Sequence, residues 1–529
     1  MAERDTAGDV LAELASSQAG VTLGPTPEQA ALSELSDPSA SSDPTNSEEA
    51  SAEREPLAKL VRKGLTWSLG GMLIGRVGTL VTGIILARLL SPNDYGVFAV
   101  ALVALVFISN LNDLGIEQAL VRWPDSIDGV APTGKTVILA SSILQFAVLF
   151  AGAPYFAHAL GADEATGVVR LLSIGVVING LFAVPSAVLT RSFRQDLRTA
   201  ADFAGFVVGV VVTVAMAVAG YGVWSLAWGR LLGNAVNGVL HALFARTHYH
   251  YGFDRALARE LLSEGIPIAG LTILAVSVLN VDTVVAGRVL GPVLLGFYVL
   301  AFNLSSWPVN VFAVAVWRVS VPAFARMQND LARLSEAFTR SFGLLMAVIL
   351  PVCILLSVLA LPLIRLVYGV KWAAAAPVLS VLAALGALRV ALQLMTDVLV
   401  AVGRSKRAFV LQAIWLAALV PALVVGAHLG GLTGIAWAHV LVALLVVTPL
   451  HLRAIAPLGI RLRALLRASG RPMLAASAAA IAALAGMALA NTLGDGDVVT
   501  LAIAGMAALV TFAAIMAPVR HSALAAIRG

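Results

Sequence analysis

The sequence predicts an all-α polytopic membrane protein with about fourteen transmembrane helices, in two six-helix lobes related by a parallel pseudo-repeat and followed by a C-terminal helix pair. Three observations predict this fold. Beyond about residue 64 the chain is a succession of apolar stretches of roughly 20 residues, the length that crosses a bilayer. The 35 Lys and Arg residues fall almost entirely in every second connection. Two segments 200 residues apart share one sequence pattern.

Composition excludes a long soluble core. Hydrophobic residues make up 59% and charged residues 12% of the chain, and the mean hydropathy is +0.91, whereas a soluble domain carries about 25% charge. The isoelectric point near 9.5 is explained by basic anchors that face anionic lipid, so membrane lipids are expected partners and nucleic acid is not. The single cysteine, Cys353, lies inside a predicted span, which excludes a disulfide and a cysteine metal cluster.

The N-terminal segment, residues 1–56, differs sharply from the rest of the chain. It holds 12 acidic and 2 basic residues among Ser, Pro, Thr and Ala. Such a composition cannot bury enough apolar surface to fold, so a disordered acidic cytoplasmic tail is predicted. Two interpretations stay open for it, a regulatory or partner-binding tail and a simple solvating extension.

The apolar stretches define the order of the membrane spans. Because cytoplasmic loops hold positive charge, the arginine-rich connections, such as the one with Arg404 and Arg407, are predicted to be cytoplasmic. This orientation predicts an inner-membrane protein with both termini in the cytoplasm and with the first span as an uncleaved signal-anchor. The spans are predicted at about residues 65–89, 95–121, 134–158, 167–190, 200–220, 223–245, 262–287, 293–317, 334–361, 374–401, 407–428, 431–452, 472–492 and 497–518.

An internal repeat divides the spans into lobes. Residues 87–101 read ARLLSPNDYGVFAVA and residues 287–301 read GRVLGPVLLGFYVLA. Six spans separate the two segments, so both run in the same direction, which predicts a parallel repeat about the membrane normal. We expect an N-lobe at 57–246, a C-lobe at 247–455 and a terminal helix pair at 456–529, with a central cavity between the lobes. The identical positions are Arg88/Arg288, Leu90/Leu290, Pro92/Pro292, Gly96/Gly296 and Ala101/Ala301.

Three arginines inside predicted spans are the main candidates for a binding site. Arg76, Arg230 and Arg389 each place a charge where the membrane makes it cost at least ~2.5–3.5 kcal/mol. The planar guanidinium binds phosphate oxygens in pairs and stays protonated, so these side chains are predicted to line a cavity for an anionic group. The alternative for each is a buried ion pair between helices.

Acidic residues within the spans are fewer. Asp282, in the outer part of span 7, and Asp113, toward the inner end of span 2, are each predicted to be a counter-ion to an arginine or a cation-coupling site; for Asp113 a position at the interface or a helix cap stays open. No catalytic motif, cofactor motif or histidine metal spacing is present, and the outer connections are short, so neither an enzyme nor a cofactor is expected. Three GxxxG pairs, Gly71/Gly75, Gly205/Gly209 and Gly229/Gly233, predict close helix packing.

Two strings carry a family resemblance. The run from Lys63 to Arg122 contains ARLLSPNDYGVF after span 1 and DLG in span 2, and Leu279 to Tyr298 reads LNVDTVVAGRVLGPVLLGFY. Over roughly residues 57–460 the chain resembles polysaccharide-export flippases, the Wzx-type branch of the multidrug/oligosaccharidyl-lipid/polysaccharide superfamily. No motif of that family fixes the three arginines as ligands.

The resemblance implies a flippase that moves an undecaprenyl-diphosphate-linked oligosaccharide from the inner to the outer leaflet by alternating access. The product would serve lipopolysaccharide, exopolysaccharide or other surface polysaccharide biosynthesis. The implied partners are the lipid-linked oligosaccharide and other glycan-assembly proteins.

Three alternatives stay open at this stage. A multidrug or organic-cation antiporter of the same superfamily would need deep carboxylates, whereas the deepest charges here are arginines. A membrane glycan polymerase or ligase would need acids or a loop domain on the outer side, where the connections are short. A structural scaffold would leave the repeat and the arginines inside the spans without a role.

Overall fold

The computed structural model describes most of the chain beyond residue 74. The described residues are 75, 78–109, 115–123, 126–192, 194–246, 250–492 and 496–528. The acidic tail and the first half of predicted span 1 lie outside them, as do Arg76 and Asp113, so the structure does not bear on those predictions.

Within these ranges every regular element is a helix, because long apolar segments in lipid must satisfy their backbone groups internally. Short 3₁₀ turns occupy Ile127–Gly129, Val370–Ala375 and Ala456–Leu458, and a π turn occupies Ala443–Val447. The α-helices are α1 (Gly78–Leu89), α2 (Pro92–Ser109), α3 (Ile116–Arg122), α4 (Ala131–Ala159), α5 (Ala165–Arg191), α6 (Gln195–Val218), α7 (Val223–Ala245), α8 (Arg255–Arg326), α9 (Leu331–Val358), α10 (Ala360–Val367), α11 (Ala376–Ala401), α12 (Ser405–Val442), α13 (Thr448–Ile455), α14 (Leu462–Thr492) and α15 (Asp497–Arg528).

The all-α polytopic class is confirmed. The part of the chain that the structure describes contains 9 helices long and apolar enough to cross a membrane, besides shorter apolar helices at Gly78–Leu89 and Pro92–Val106. Predicted spans 7 and 8 fall within α8, and spans 11 and 12 fall within the continuous helical stretch Ser405–Leu458, which begins with α12. In each case one glycine with positive φ, Gly291 (φ 79°) or Gly431 (φ 56°), breaks the helical path. Each glycine lies at the connection predicted between the two spans, and the count of fourteen stays a prediction.

The amino-terminal helices pack through small residues. α4 packs on α5, α5 on α7, and α6 on α7. A Cβ atom on Gly205 would lie 2.7 Å from the carbonyl oxygen of Gly233, and one on Gly209 would lie 3.1 Å from that of Gly229. At the present helix separation Gly205 has no room for a side chain and Gly209 has little, so the close packing predicted from the GxxxG spacings is confirmed for this pair of helices.

The carboxyl-terminal helices form a second set of contacts. α8 packs on α11 and α12, α9 packs on α11, and the pair α14–α15 joins them through α9 and α10. The core is aromatic and aliphatic, with Phe338, Ile349 and Trp372 fully buried. Residues 71–529 belong to one compact unit, within which the lobe boundaries at 246 and 455 stay a prediction.

The repeat segments cross each other. α2 packs against α8, and the contact is reciprocal. A Cβ atom on Gly96 would overlap the carbonyl oxygen of Pro292, and a Cβ atom on Gly296 would overlap that of Pro92. The repeat therefore brings matching positions of the two segments into backbone contact, an approach that only glycine permits.

Hydrogen bonds join the C-terminal ends of α1 and α10. Arg88 donates through Nε to the carbonyl oxygen of Val367 at 2.9 Å, and through its terminal nitrogen to that of Leu366. In return, Lys371 Nζ donates to the carbonyl oxygens of Arg88 and Leu90 at 2.9 and 2.8 Å. Cations thus cap both helix C-termini, where free carbonyls carry negative potential.

Trp372 closes the same junction from within. Its Nε1–H donates to the carbonyl oxygen of Ala87 at 2.7 Å, and both residues are fully buried. The indole ring also meets the rings of Tyr95 and Phe297 edge to face. We call the contacts of Arg88, Lys371 and Trp372 the reciprocal latch.

Candidate functional site

Two cavities share one wall in the amino-terminal helices. The smaller cavity measures about 220 Å³ and lies between α2, α5 and α7. The larger measures about 470 Å³ and lies between α1, α2, α6 and α7. Arg230 and Asn234 line both. The remaining polar residues of the larger cavity are Thr82, Asp202, Thr213 and Asn237, and Asn179 is the remaining polar side chain of the smaller one.

Arg230 carries the positive charge of these cavities. It lies on α7 among apolar helices, and its guanidinium makes no hydrogen bond or ion pair with any described residue. Asn234 and Asn237 follow it at intervals of four and three residues, so all three lie on one face of α7. The helix thereby presents a polar stripe with a free cation to the cavity.

The opposite charge in the larger cavity belongs to Asp202, near the start of α6. Its Oδ1 accepts a hydrogen bond from Asn237 Nδ2 at 2.7 Å and lies 3.6 Å from His241 Nε2. The Asp202 side chain is 56% exposed, whereas that of His241 is 7% exposed. The carboxylate is therefore fixed on one oxygen, and its other oxygen has no hydrogen-bond partner among the described side chains.

The glycine contacts between α6 and α7 shape the floor of this cavity. Gly205, Gly209, Gly229 and Gly233 all line it. Because these positions have no side chains, the two helices approach closely, and the cavity extends between Arg230 at one end and Asp202 at the other. The seven helical steps from Arg230 to Asn237 rise about 10 Å along the helix axis. The cavity can thus hold a ligand that carries an anion at one end and hydrogen-bond donors at the other.

Arg389 lies in a different environment, on α11. Its Nη1 donates to Ser306 Oγ at 3.2 Å, and its guanidinium lies 5.3 Å from the ring centroid of Phe302. Both partners belong to α8. The arginine is half-buried and held by a neutral hydroxyl and an aromatic face, without an ion pair among the described side chains. It does not line either of the two cavities described above.

Asp282 lies in a buried cluster of polar side chains. Tyr298 donates its hydroxyl proton to Asp282 Oδ2 at 2.7 Å, and His439 Nε2 lies 3.6 Å from the same oxygen. The backbone N–H of Thr283 donates to Oδ1 at 2.8 Å. Asp282 and Tyr298 are almost completely buried. The described partners of this carboxylate are thus a tyrosine and a histidine, rather than an arginine.

The candidate residues are therefore dispersed. Arg230 lines the cavities, while Arg389 and Asp282 lie elsewhere, linked through the stacked rings of Tyr298 and Phe302. Sequence reasoning missed Asp202, Asn234, Asn237, Tyr298 and His439. The three- and four-residue spacing from Arg230 could have identified both asparagines. No group of three potential metal ligands occurs in the described ranges.

Comparison with known proteins supports the family resemblance. The family described as "Polysaccharide biosynthesis protein" matches residues 85–377. The succinoglycan biosynthesis transport protein ExoT of Rhizobium meliloti (strain 1021) is 29% identical over 336 residues, which cover 62% of this chain and 66% of that protein. The lipopolysaccharide biosynthesis protein WzxC of Escherichia coli (strain K12) is 24% identical over 398 residues, which cover 72% of this chain and 78% of WzxC.

Solved structures show the same fold. The lipid II flippase MurJ, in an inward closed conformation, superposes with a TM-score of 0.69 at 13% identity, covering 86% of this chain and 99% of MurJ. An inward-facing multidrug resistance MATE family transporter of the MOP superfamily gives 0.57 at 17% identity, covering 75% of this chain and 99% of that transporter. ExoT is named as a transport protein, in agreement with the prediction that the chain is not an enzyme.

Proposed function

The chain belongs to the polysaccharide biosynthesis protein family, and from that premise we propose that it flips an undecaprenyl-diphosphate-linked oligosaccharide from the inner to the outer leaflet of the bacterial plasma membrane. The flippase role is supported by the names of ExoT and WzxC and by the MurJ-like fold. The polyprenyl-linked substrate and the direction of transport are our proposal. The product serves surface polysaccharide biosynthesis.

The observation that carries this proposal is Arg230. Its guanidinium lines two cavities between the helices and has no partner among the described residues. An unpaired charge at membrane depth is costly unless a ligand compensates it. A diphosphate is such a ligand, because two of its oxygens match the fork of one guanidinium. Asn234, which also lines both cavities, supplies an amide donor beside it.

The transport mechanism that we propose is alternating access. The Gly96–Gly296 crossing joins the two repeat segments, and the reciprocal latch joins the end of α1 to the end of α10. The charge pattern assigns these contacts to the outer side. Transport then requires these contacts to part while the cytoplasmic ends close. Both termini are cytoplasmic in this proposal.

Roles for the remaining charges follow from the same proposal. Arg389 is a second anion ligand, and Asp282, held by Tyr298 and His439, is a counter-ion or a cation-coupling group on the opposite lobe. Arg76 and Asp113 keep the roles predicted from the sequence, as a diphosphate ligand and as a counter-ion or cation-coupling group respectively.

A second candidate function is favoured by one observation. The carboxylate of Asp202 lines the larger cavity, as a multidrug or organic-cation antiporter would require. The free cation of Arg230 in the same cavity opposes a cationic substrate. The two functions differ in a simple phenotype, because an antiporter mutant becomes sensitive to cationic dyes, whereas a flippase mutant loses surface glycan.

The test is to deplete the protein and measure lipid-linked oligosaccharide in each leaflet, with an impermeant sugar-oxidising probe on intact spheroplasts. We expect the completed unit to accumulate on the cytoplasmic side, and Arg230→Gln to fail to rescue export. Arg340→Gln is the matched control, because Arg340 is exposed and its partner is Glu336, one helical turn away. Normal outer-leaflet levels in a depleted strain without a redundant homologue would overturn the flippase proposal.

A further inference from the structure

We infer that Asp202, held by Asn237 and supported by His241, recognises the sugar next to the diphosphate by accepting hydrogen bonds from its hydroxyl groups. This contact contributes to glycan specificity. This inference rests on the proposed function, since it assigns Arg230 to the diphosphate of the same ligand. It adds a second recognition point, which discriminates between ligands by their hydroxyl groups rather than by their charge.

The carboxylate is pre-organised for a ligand. Asn237 Nδ2 holds Oδ1 at 2.7 Å, and this bond fixes the plane of the carboxylate against α7. Oδ2 has no hydrogen-bond partner among the described residues, and the side chain is 56% exposed on the wall of the cavity. A fixed carboxylate oxygen of this kind accepts hydrogen bonds from hydroxyl groups and donates none.

His241 provides a second, independent observation. The residue is 5% exposed, and its Nε2 has no hydrogen-bond partner in the described structure. That nitrogen lies 3.6 Å from Asp202 Oδ1, just beyond hydrogen-bond distance. Buried polar atoms nearly always have a partner, and the carboxylate of Asp202 is the acceptor beside this nitrogen, so the imidazole supports Asp202 from within the protein.

The distance between the two charges selects the class of ligand. Arg230 and Asn237 are separated by about 10 Å along α7, and no described contact pairs Arg230 with Asp202. A simple anion would use only the arginine end, and a simple cation only the carboxylate end. A sugar joined to a diphosphate presents phosphate oxygens and hydroxyl groups over this span, so it can engage both ends together.

The floor of the cavity leaves room for a sugar ring. Gly205, Gly209, Gly229 and Gly233 line the cavity without side chains between the two ends, and Phe206 lines it beside them. The volume of about 470 Å³ leaves space for a sugar beside the phosphates. The glycines therefore allow close helix packing and also leave the cavity open.

Binding to two lipids separates this inference from the proposed function. The probes are undecaprenyl diphosphate and undecaprenyl-diphosphate-glucose, titrated into the full-length protein in nanodiscs with tryptophan fluorescence as the signal. We expect the wild type to bind the glucosylated lipid more tightly. Asp202→Asn should weaken glucosyl-lipid binding about tenfold and leave binding of the unglycosylated lipid unchanged. Arg230→Gln should weaken both.

The controls use residues of the same helices. Asp196→Asn changes a carboxylate on α6 that does not line the cavity, and it should bind both lipids as the wild type does. Asn237→Ser releases the carboxylate from its fixed position and should reproduce the selective loss, which guards against misfolding of Asp202→Asn. Equal binding of the two lipids by the wild type, or an equal loss for both lipids in Asp202→Asn, would overturn the sugar-reading role. Unchanged binding of both lipids in Arg230→Gln would instead overturn the proposed diphosphate site.

Discussion

Gly96 and Gly296 each pack against the backbone carbonyl of the proline that precedes the other. A Cβ atom on either glycine would overlap the oxygen of Pro292 or Pro92. The two glycines are also matching positions of the internal repeat, 200 residues apart. The positions that match in sequence are therefore also in contact in space. The close approach of the two repeat segments depends on the lack of a side chain at both glycines.

The first prediction concerns this crossing. Gly96→Ala and Gly296→Ala place a methyl group against a backbone oxygen, which cannot move without shifting its helix. We expect each to lower stability by about 1–3 kcal/mol, the usual cost of overpacking, and to lower the thermal unfolding temperature in detergent. The measurement is a melting curve by intrinsic fluorescence.

Gly152→Ala is the matched control for the crossing. A Cβ atom there meets nothing within 4 Å, and alanine in a helix is about 0.5–1 kcal/mol more favourable than glycine. The control should melt at or above the wild-type temperature. If Gly96→Ala melts at the same temperature as this control, the crossing is not a tight contact.

The second prediction concerns the reciprocal latch. Lys371→Gln and Arg88→Gln each remove a cation from a helix C-terminus, together with its hydrogen bonds to backbone carbonyls. Interactions of cations with helix ends contribute about 0.3–1 kcal/mol each, so we expect a shift toward a state in which the latch is open. A cysteine at Ala87, which is fully buried beneath Trp372, would report that state.

The labelling experiment uses Ala87→Cys in a Cys353→Ser background, with an impermeant maleimide added outside intact cells. The rate of labelling should rise severalfold with Lys371→Gln or Arg88→Gln, and Arg340→Gln should leave it unchanged. Equal rates in all variants would show that these bonds do not hold the junction closed. No labelling with any variant would contradict the proposed outer location.

Much of the fold follows from hydropathy, because the length of an apolar stretch is set by the bilayer. The prediction for residues 223–245 coincides with α7, and the glycine spacings of α6 and α7 predicted their close packing. The tertiary pairings were not predictable in the same way. Asp202 lies near the start of a helix, where the sequence suggests a carboxylate at the membrane interface. Only the packing of α6 on α7 shows that its side chain lines the cavity and contacts Asn237.

The buried partners of Asp282 illustrate the same limit. Arg288 lies nearby in the sequence, so charge alone suggested an arginine as the counter-ion. His439 reaches Asp282 because α12 packs on α8. Helix-to-helix contacts across more than a hundred residues leave no periodic signal in one sequence.

The third prediction is a double-mutant cycle on that pair. Asp282→Asn and His439→Gln should each lower the thermal stability, since each disturbs a buried hydrogen-bonded cluster. The double mutant should lose less unfolding free energy than the sum of the losses of the two single mutants. The difference, the interaction energy of the pair, should be about 0.5–3 kcal/mol. The measurement is thermal unfolding of the three variants. The cycle of Asp282→Asn with Arg340→Gln is the control and should be additive, and additivity in the first cycle would show that His439 does not pair with Asp282.

The last prediction separates the arginines by what they contact. Arg230 has no described partner, so Arg230→Gln should abolish glycan export without lowering thermal stability. Arg389 binds Ser306 and faces Phe302, so Arg389→Gln should abolish export and also destabilise the protein. Arg76→Ala should abolish export while membrane insertion stays normal. Export is measured as surface glycan in complemented cells, and insertion by immunoblotting of the membrane fraction.

Arg389→Lys distinguishes a bound anion from a structural contact. Lysine keeps the charge but lacks the planar fork that engages Ser306 and stacks on Phe302. If the charge alone holds the diphosphate, Arg389→Lys should retain part of the export that Arg389→Gln loses, although both variants lose the same contacts to α8. Equal export by the lysine and glutamine variants would assign Arg389 to helix packing. The anion-binding role would then belong to Arg230, the cation that has no described partner and lines both cavities.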